Sequence, residues 1–126
     1  MNVRVSGVAL SQVSVSPISR LFKALGDDTR LRIVALLSHG ELCVCHVESG
    51  LGLSQPNASR HLLVLKNAGV VAARKSGSWV YYRLARQDDA TCERQLRALV
   101  RGFADQKLLA RDVDRLLKSK GPNACK

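Results

Sequence analysis

Acidic and aromatic residues are both scarce in this sequence. Its 126 residues include ten Asp and Glu against twenty Lys and Arg, with one Trp, two Tyr and two Phe. Five aromatics and three histidines leave little to line a substrate pocket, and no CxxC, P-loop or HExxH motif is present. These shortages argue against an enzyme.

Long apolar runs are also missing. No stretch approaches the roughly 18–20 apolar residues that span a bilayer, and Ser and Gln interrupt residues 1–17 too often for a signal peptide. The sequence therefore predicts a cytoplasmic protein with no membrane partner, in a compartment that keeps thiols reduced. The four cysteines are then expected to be thiols, with Cys43 and Cys45 close together and Cys92 and Cys125 isolated.

Positive charge dominates what is present. The formal net charge is +10 at pH 7, in a chain of one domain's length with 46% hydrophobic residues. The stretch 49–87 contains no acidic residue and these basic ones: Arg60, Lys66, Arg74, Lys75, Arg83 and Arg86. Such a stretch indicates a polyanionic partner, most often nucleic acid. The alternative is a basic soluble protein with no such partner.

Apolar spacing and turn residues divide the chain into an arm (1–16), a folded domain (17–118) and a polar tail (119–126). Helical spacing begins at Ile18 and stops at Gly26, and a second helix, capped by Asp27 or Asp28, runs toward Gly40. A short helix is predicted over 42–49. Another follows from a cap at Ser54 to Gly69, so that the two form a helix-turn-helix.

The remaining pattern predicts a basic hairpin and a long helix. Residues 70–73 and 79–84 have the composition of strands around a turn at Gly77, and an apolar stripe from Cys92 onward weakens at Gly102. The predicted fold class is therefore mainly α with a small β-hairpin, a winged helix-turn-helix. We expect dimerisation through the terminal helices, which would otherwise pack on their own core.

The second helix of the helix-turn-helix is expected to contact double-stranded DNA in the major groove. Amide and guanidinium groups pair with base edges, and Ser at a helix start suits a phosphate. The alternatives are a solvated polar turn and, for His61, a packing role. The candidate DNA-binding residues in this helix and the hairpin are Ser54, Gln55, Asn57, Ser59, Arg60, His61, Lys66, Arg74 and Lys75.

Four segments in order resemble the ArsR/SmtB family of winged-helix, metal-responsive repressors. They are LFKALGDDTRLRIVALL, GELCVC, SQPNASRHLLVLKNAGVV and RKSGSWVYYRL, and they lie within 18–84. The resemblance implies a homodimer that leaves its operator DNA when a metal or metalloid binds. ELCVC resembles the thiol site of the arsenic-sensing branch, which holds arsenite with three thiolates. Here the usual third cysteine is Glu48, and His46 stands where aspartate is usual.

The spacing of Cys43 and Cys45 poses a geometric question. In a regular helix residues two apart point about 200° apart, so one ion would hold both sulfurs only by distorting the first turn. We expect such distortion to couple the ion to operator release, unless a CxC pair in a first turn needs little of it. The third metal ligand is expected to be Cys92, with Cys125 as second choice; His46 would instead complete a Cys/His set for zinc or cadmium.

The function predicted from the sequence is an operator-bound repressor without a permanent cofactor. Its expected effector is arsenite or antimonite, bound by thiolates. The alternatives are a sensor of zinc, cadmium or lead, a thiol-redox regulator, and a DNA-binding protein with no effector. Buried, inert cysteines are the structural alternative.

Overall fold

Six helices and one small sheet make up the part of the chain that the structure describes. The computed structural model describes residues 16–119 and forms a 3-10 turn at Phe103–Asp105. The predicted arm, except Ser16, and the residues beyond Ser119, including Cys125, lie outside it. The helices are α1 (Pro17–Leu25), α2 (Asp28–Leu37), α3 (Val44–Leu51), α4 (Gln55–Asn67), α5 (Ala90–Gly102) and α6 (Lys107–Ser119); the strands are β1 (Leu42–Cys43), β2 (Val71–Ser76) and β3 (Trp79–Leu84).

Side-chain caps begin four of these helices. Asp27 accepts a hydrogen bond from the Arg30 N–H at 3.0 Å, and Ser54 accepts one from the Asn57 N–H at 3.3 Å. Ser16 and Asp89 cap α1 and α5 in the same way. Each cap satisfies an N–H group that the helix itself leaves without a partner. The predicted starts of α2 and α4 are thus confirmed, with Asp27 as the α2 cap.

The hairpin turns at Gly77 as predicted, and its sheet carries a third strand. The sheet order is β1-β3-β2, all antiparallel, and β2 extends to Ser76, beyond the predicted end at Ala73. Gly77 turns the chain with φ +61°, a conformation that glycine adopts without strain.

The predicted helix over 42–49 is wrong at its start. Leu42 and Cys43 are extended and pair with Tyr82 and Tyr81 of β3, and α3 begins only at Val44. Pairing with an open strand edge satisfies these backbone groups, which overrides the local helical spacing.

The core lies between α2, α4 and α5, and α6 crosses α3. Leu36 of α2, Leu62 of α4 and Leu96 of α5 are fully buried. Beside the contact between α3 and α6, a Cβ on Gly50 would lie 2.9 Å from Leu36 Cδ1 of α2, so a larger residue would require the Leu36 side chain to shift. The predicted C-terminal helix with a weak point at Gly102 is two helices, and α6 packs on its own chain. No helix in the described range is long and apolar enough to cross a membrane.

Candidate thiol site and DNA interface

Cys43, Cys45 and His46 form a cluster of three metal-ligating side chains where β1 meets α3. The two Sγ atoms are 2.9 Å apart, and His46 Nδ1 is 3.4 Å from Cys43 Sγ. One ligand atom from each residue lies within 4.8 Å of the other two. Sulfurs on one tetrahedral ion lie about 3.8 Å apart, so both thiols are within reach of a single ion.

The backbone at Cys43 explains why the two sulfurs meet. Cys43 is the N-cap of α3, with extended φ −86° and ψ 169°, and Cys45 lies inside the first turn. The 200° separation of a regular helix therefore does not apply. The expected need to distort the helix is wrong, because the strand-to-helix junction already turns both thiols to one side.

Burial and local dipoles define the chemistry of this cluster. Cys43 and His46 are buried, at 1% and 5% exposure, and Cys45 is half-buried. The Cys43 N–H donates to His46 Nδ1 at 3.3 Å, which orients the imidazole beside the Cys43 thiol. The positive end of α3 favours the thiolate form that soft ions require.

Cys92 is not part of this cluster in the described chain. It lies on α5 at 2% exposure, within the hydrophobic core. Burial, followed by the nearby Asp89 carboxylate, raises the pKa of the Cys92 thiol, which disfavours the thiolate needed for binding. Within one chain, His46 takes the place beside the two thiols that sequence reasoning gave first to Cys92.

The first turns of α4 present polar side chains to solvent. Ser54, Gln55, Asn57 and Arg60 are exposed, whereas Ala58 is buried. Arg60 donates to Asn57 Oδ1 at 2.5 Å, and Gln55 Nε2 donates to Ser59 Oγ at 2.8 Å. These groups therefore form one ordered polar surface.

Two further candidates on α4 differ in their surroundings. Lys66 is exposed. His61 is half-buried, with Nδ1 3.3 Å from an Arg30 guanidinium nitrogen and 3.8 Å from Asp27 Oδ2. These contacts join α4 to the start of α2 and favour the packing role for His61.

The hairpin carries the last two candidates. Lys75 is exposed near the tip, and Arg74 donates to both Glu41 carboxylate oxygens at 2.7 and 2.8 Å. The Arg74 guanidinium also lies 4.8 Å from the centre of the Tyr81 ring. Its hydrogen bonds hold the pKa of Glu41 below the usual value. Sequence reasoning missed Glu41, because it had not predicted the strand that brings this residue to the hairpin.

Comparison with known proteins agrees with this arrangement. The sequence profile of bacterial regulatory proteins of the arsR family matches residues 27–73. The arsenic resistance transcriptional regulator ArsR1 of Pseudomonas putida is 40% identical over 124 residues, covering 94% of each chain. The chain belongs to the arsR family. This membership confirms the resemblance drawn from the four sequence segments and the prediction of a regulator rather than an enzyme.

Other members show the range within the arsR family. The arsenical resistance operon repressor of Escherichia coli is 46% identical over 69% of this chain and 85% of its own. A cadmium resistance regulatory protein CadC homolog of Staphylococcus aureus is 46% identical over 60% of this chain and 63% of its own.

A solved structure confirms the winged helix-turn-helix fold. The homodimeric DNA-binding domain of a possible ArsR-family regulator from Mycobacterium bovis superposes with a TM-score of 0.58 at 34% identity. The match covers 85% of this chain and 91% of that one.

Proposed function

We propose that this ArsR-family repressor binds operator DNA as a homodimer and releases it when arsenite or antimonite binds to Cys43 and Cys45. The observation that carries the proposal is the thiol pair at the start of α3, the first helix of the helix-turn-helix. Its sulfurs lie within reach of one soft ion, and α3 supports the recognition helix α4. An ion that binds the thiols differently in the two states must change operator affinity.

The choice of arsenite rests on thiol chemistry and on relatives. Soft thiolates suit soft ions, and two relatives at 40% and 46% identity are named for arsenic resistance. Among the described residues, we propose His46 as the nearest third donor; a cysteine of the second subunit is the alternative.

Cadmium or zinc is the second candidate effector. An imidazole nitrogen 3.4 Å from a thiol sulfur completes a Cys/His set that suits these borderline ions. The cadmium resistance homolog of S. aureus supports the same reading. The close sulfurs also suit oxidation, so effector tests require reducing conditions.

Operator binding is assigned to the exposed polar face of α4 and to the hairpin. Gln55, Asn57 and Arg60 offer donors and acceptors for base edges, and Ser54, Ser59, Lys66 and Lys75 suit the phosphates. The Arg74 guanidinium is already engaged by Glu41.

Dimerisation is supported by apolar surface on the terminal helices. Phe22 of α1 is 51% exposed and Leu108 of α6 is 47% exposed, and half-buried Leu31 and Leu99 lie near them. A second copy would cover this surface and would supply the second recognition helix that a symmetric operator needs.

Sedimentation velocity tests the dimer. Phe22→Glu places a charge within the apolar surface, and we expect it to shift the protein toward monomer. Lys23→Glu adds the same carboxylate one position away and is expected to remain dimeric. Equal dimer fractions in both variants would contradict the assignment of this surface.

The test of effector and operator together is fluorescence anisotropy on promoter DNA with a thiol-free reductant present. Arsenite should release wild type but not Cys43→Ser. His46→Ala should weaken arsenite binding, and so raise the arsenite concentration needed for release, if His46 is a donor. Cys92→Ser should have the same effect if Cys92 of the second subunit supplies the third thiol. Release by cadmium or zinc but not by arsenite would identify cadmium or zinc as the effector. No response to any ion would overturn the effector proposal.

A further inference from the structure

One ion pair bridges the thiol-bearing strand and the hairpin across the middle of the sheet. Glu41 immediately precedes β1, and Arg74 lies on β2, which is the opposite edge strand. The two side chains meet through two hydrogen bonds of 2.7 and 2.8 Å. Tyr81 of the central strand lies beneath the guanidinium. We refer to Glu41, Arg74 and Tyr81 as the clasp.

The strand register connects the clasp directly to the thiol site. Tyr81 pairs with Cys43 on one side and with Arg74 on the other, so the three form one row across the sheet. Glu41 is two residues before Cys43 and therefore lies on the same face of the extended segment. Any displacement of Cys43 must act on Tyr81 and Glu41 together.

We propose that the clasp is the connection through which ion binding at Cys43 and Cys45 repositions the DNA-contacting hairpin. This inference rests on the proposed function, because it concerns regulation of the same thiol site. Arg74 is then a positioning residue that links two sites, and the neighbouring Lys75 makes the phosphate contact.

The size of the β1 pairing explains why a side-chain link is needed. Only two residue pairs join β1 to β3, whereas six join β2 to β3. A bidentate Arg–carboxylate contact has a defined geometry in addition to its charge attraction. The aromatic ring beneath the guanidinium adds a cation–π contact. The clasp therefore adds a side-chain link between the short strand and the hairpin to the two backbone pairs that join them.

The molecule contains its own reporter for this connection. Trp79 is its single tryptophan, begins β3 and is 41% exposed. Its fluorescence thus reports on the hairpin without any DNA present. Ion binding itself can be followed separately by the thiolate-to-metal absorption of cadmium.

The experiment titrates full-length protein with cadmium and, in parallel, arsenite under reducing conditions. We expect wild type to change its Trp79 emission on ion binding. Glu41→Gln should bind cadmium with unchanged affinity yet lose most of the emission change. The exchanged pair Glu41→Arg with Arg74→Glu should recover it. Lys75→Gln removes an adjacent hairpin cation and serves as the matched control. It should keep the wild-type change in Trp79 emission on ion binding.

Operator anisotropy completes the test. Dividing the operator affinity measured without ion by the affinity measured with ion gives a ratio for each protein. This ratio should be at least tenfold smaller for Glu41→Gln than for wild type. A Glu41→Gln variant with wild-type emission change and wild-type ratio would overturn the clasp. So would a wild type whose ion binding leaves Trp79 unaffected. If ion binding changes Trp79 but never releases operator, the clasp stands and the proposed function fails.

Discussion

An ion pair between Arg32 of α2 and buried Asp112 holds α6 in place. Asp112 has no exposed surface, and Arg32 donates to its two carboxylate oxygens at 2.7 and 2.8 Å. This contact raises the pKa of Arg32. A buried carboxylate is tolerated only when it is paired in this way, so the pair fixes which residue of α6 faces α2.

Asp112→Ala should therefore lower the free energy of unfolding by about 3 kcal/mol, because it leaves the Arg32 charge partly buried without its partner. Asp114→Ala is the matched control on the same helix. Asp114 pairs with Lys118 at 3.1 Å in an exposed position, and its loss should cost at most about 0.5 kcal/mol. Urea denaturation at one fixed protein concentration measures both. Equal costs would show that Asp112 does not hold α6.

Gly50 and Gly102 differ in the space that surrounds them. Gly50 lies where α3 meets α6, and Gly102 ends α5 with ordinary helical φ −74°. A Cβ at Gly50 would contact buried Leu36 at 2.9 Å, whereas one at Gly102 would meet nothing within 4 Å.

We expect the two alanine substitutions to act in opposite directions. Gly50→Ala should destabilise the protein by about 1–2 kcal/mol, since overpacking outweighs the gain in helix propensity. Gly102→Ala should stabilise it by about 0.4–1 kcal/mol, because it restricts the unfolded chain and strains nothing. Thermal unfolding of both variants beside wild type checks the signs. A stabilised Gly50→Ala would mean that the Leu36 side chain of α2 moves aside to accommodate the added methyl group.

The elements predicted correctly from the sequence are those fixed by interactions between residues close together in the chain. Caps at Asp27 and Ser54 and the turn at Gly77 depend on residues within a few positions of one another. Strand β1 is two residues long and pairs with Tyr81 and Tyr82, almost forty positions away. No periodicity in two residues can reveal such a partner, so the sequence pattern predicts a helix at this position.

The candidate site was predicted in part for the same reason. The CxC spacing identified Cys43 and Cys45, but their approach depends on the extended backbone that β1 imposes. His46 was recognised as a possible donor, since it lies three residues from Cys43. Glu41 was missed because its partner Arg74 is brought to it only by the sheet.

The whole molecule concentrates positive charge where the helix-turn-helix and hairpin lie. Arg60, Lys66 and Lys75 are exposed in this region, and a dimer would present two sets. Lys66 and Lys75 of both subunits would neutralise about four phosphates per dimer and release condensed counterions from DNA. Operator affinity should therefore fall about a hundredfold or more between 50 and 200 mM salt.

Lys75→Gln tests the salt dependence at a single residue, because it removes one proposed phosphate contact from each subunit. Losing one phosphate contact per subunit should weaken binding to all DNA sequences and reduce the magnitude of the log–log salt slope by about two per dimer. Anisotropy titrations of wild type and variant across the salt range measure both slopes. A wild-type affinity independent of salt would remove these residues from the DNA interface. An unchanged slope in Lys75→Gln would mean that the hairpin tip does not reach the phosphates.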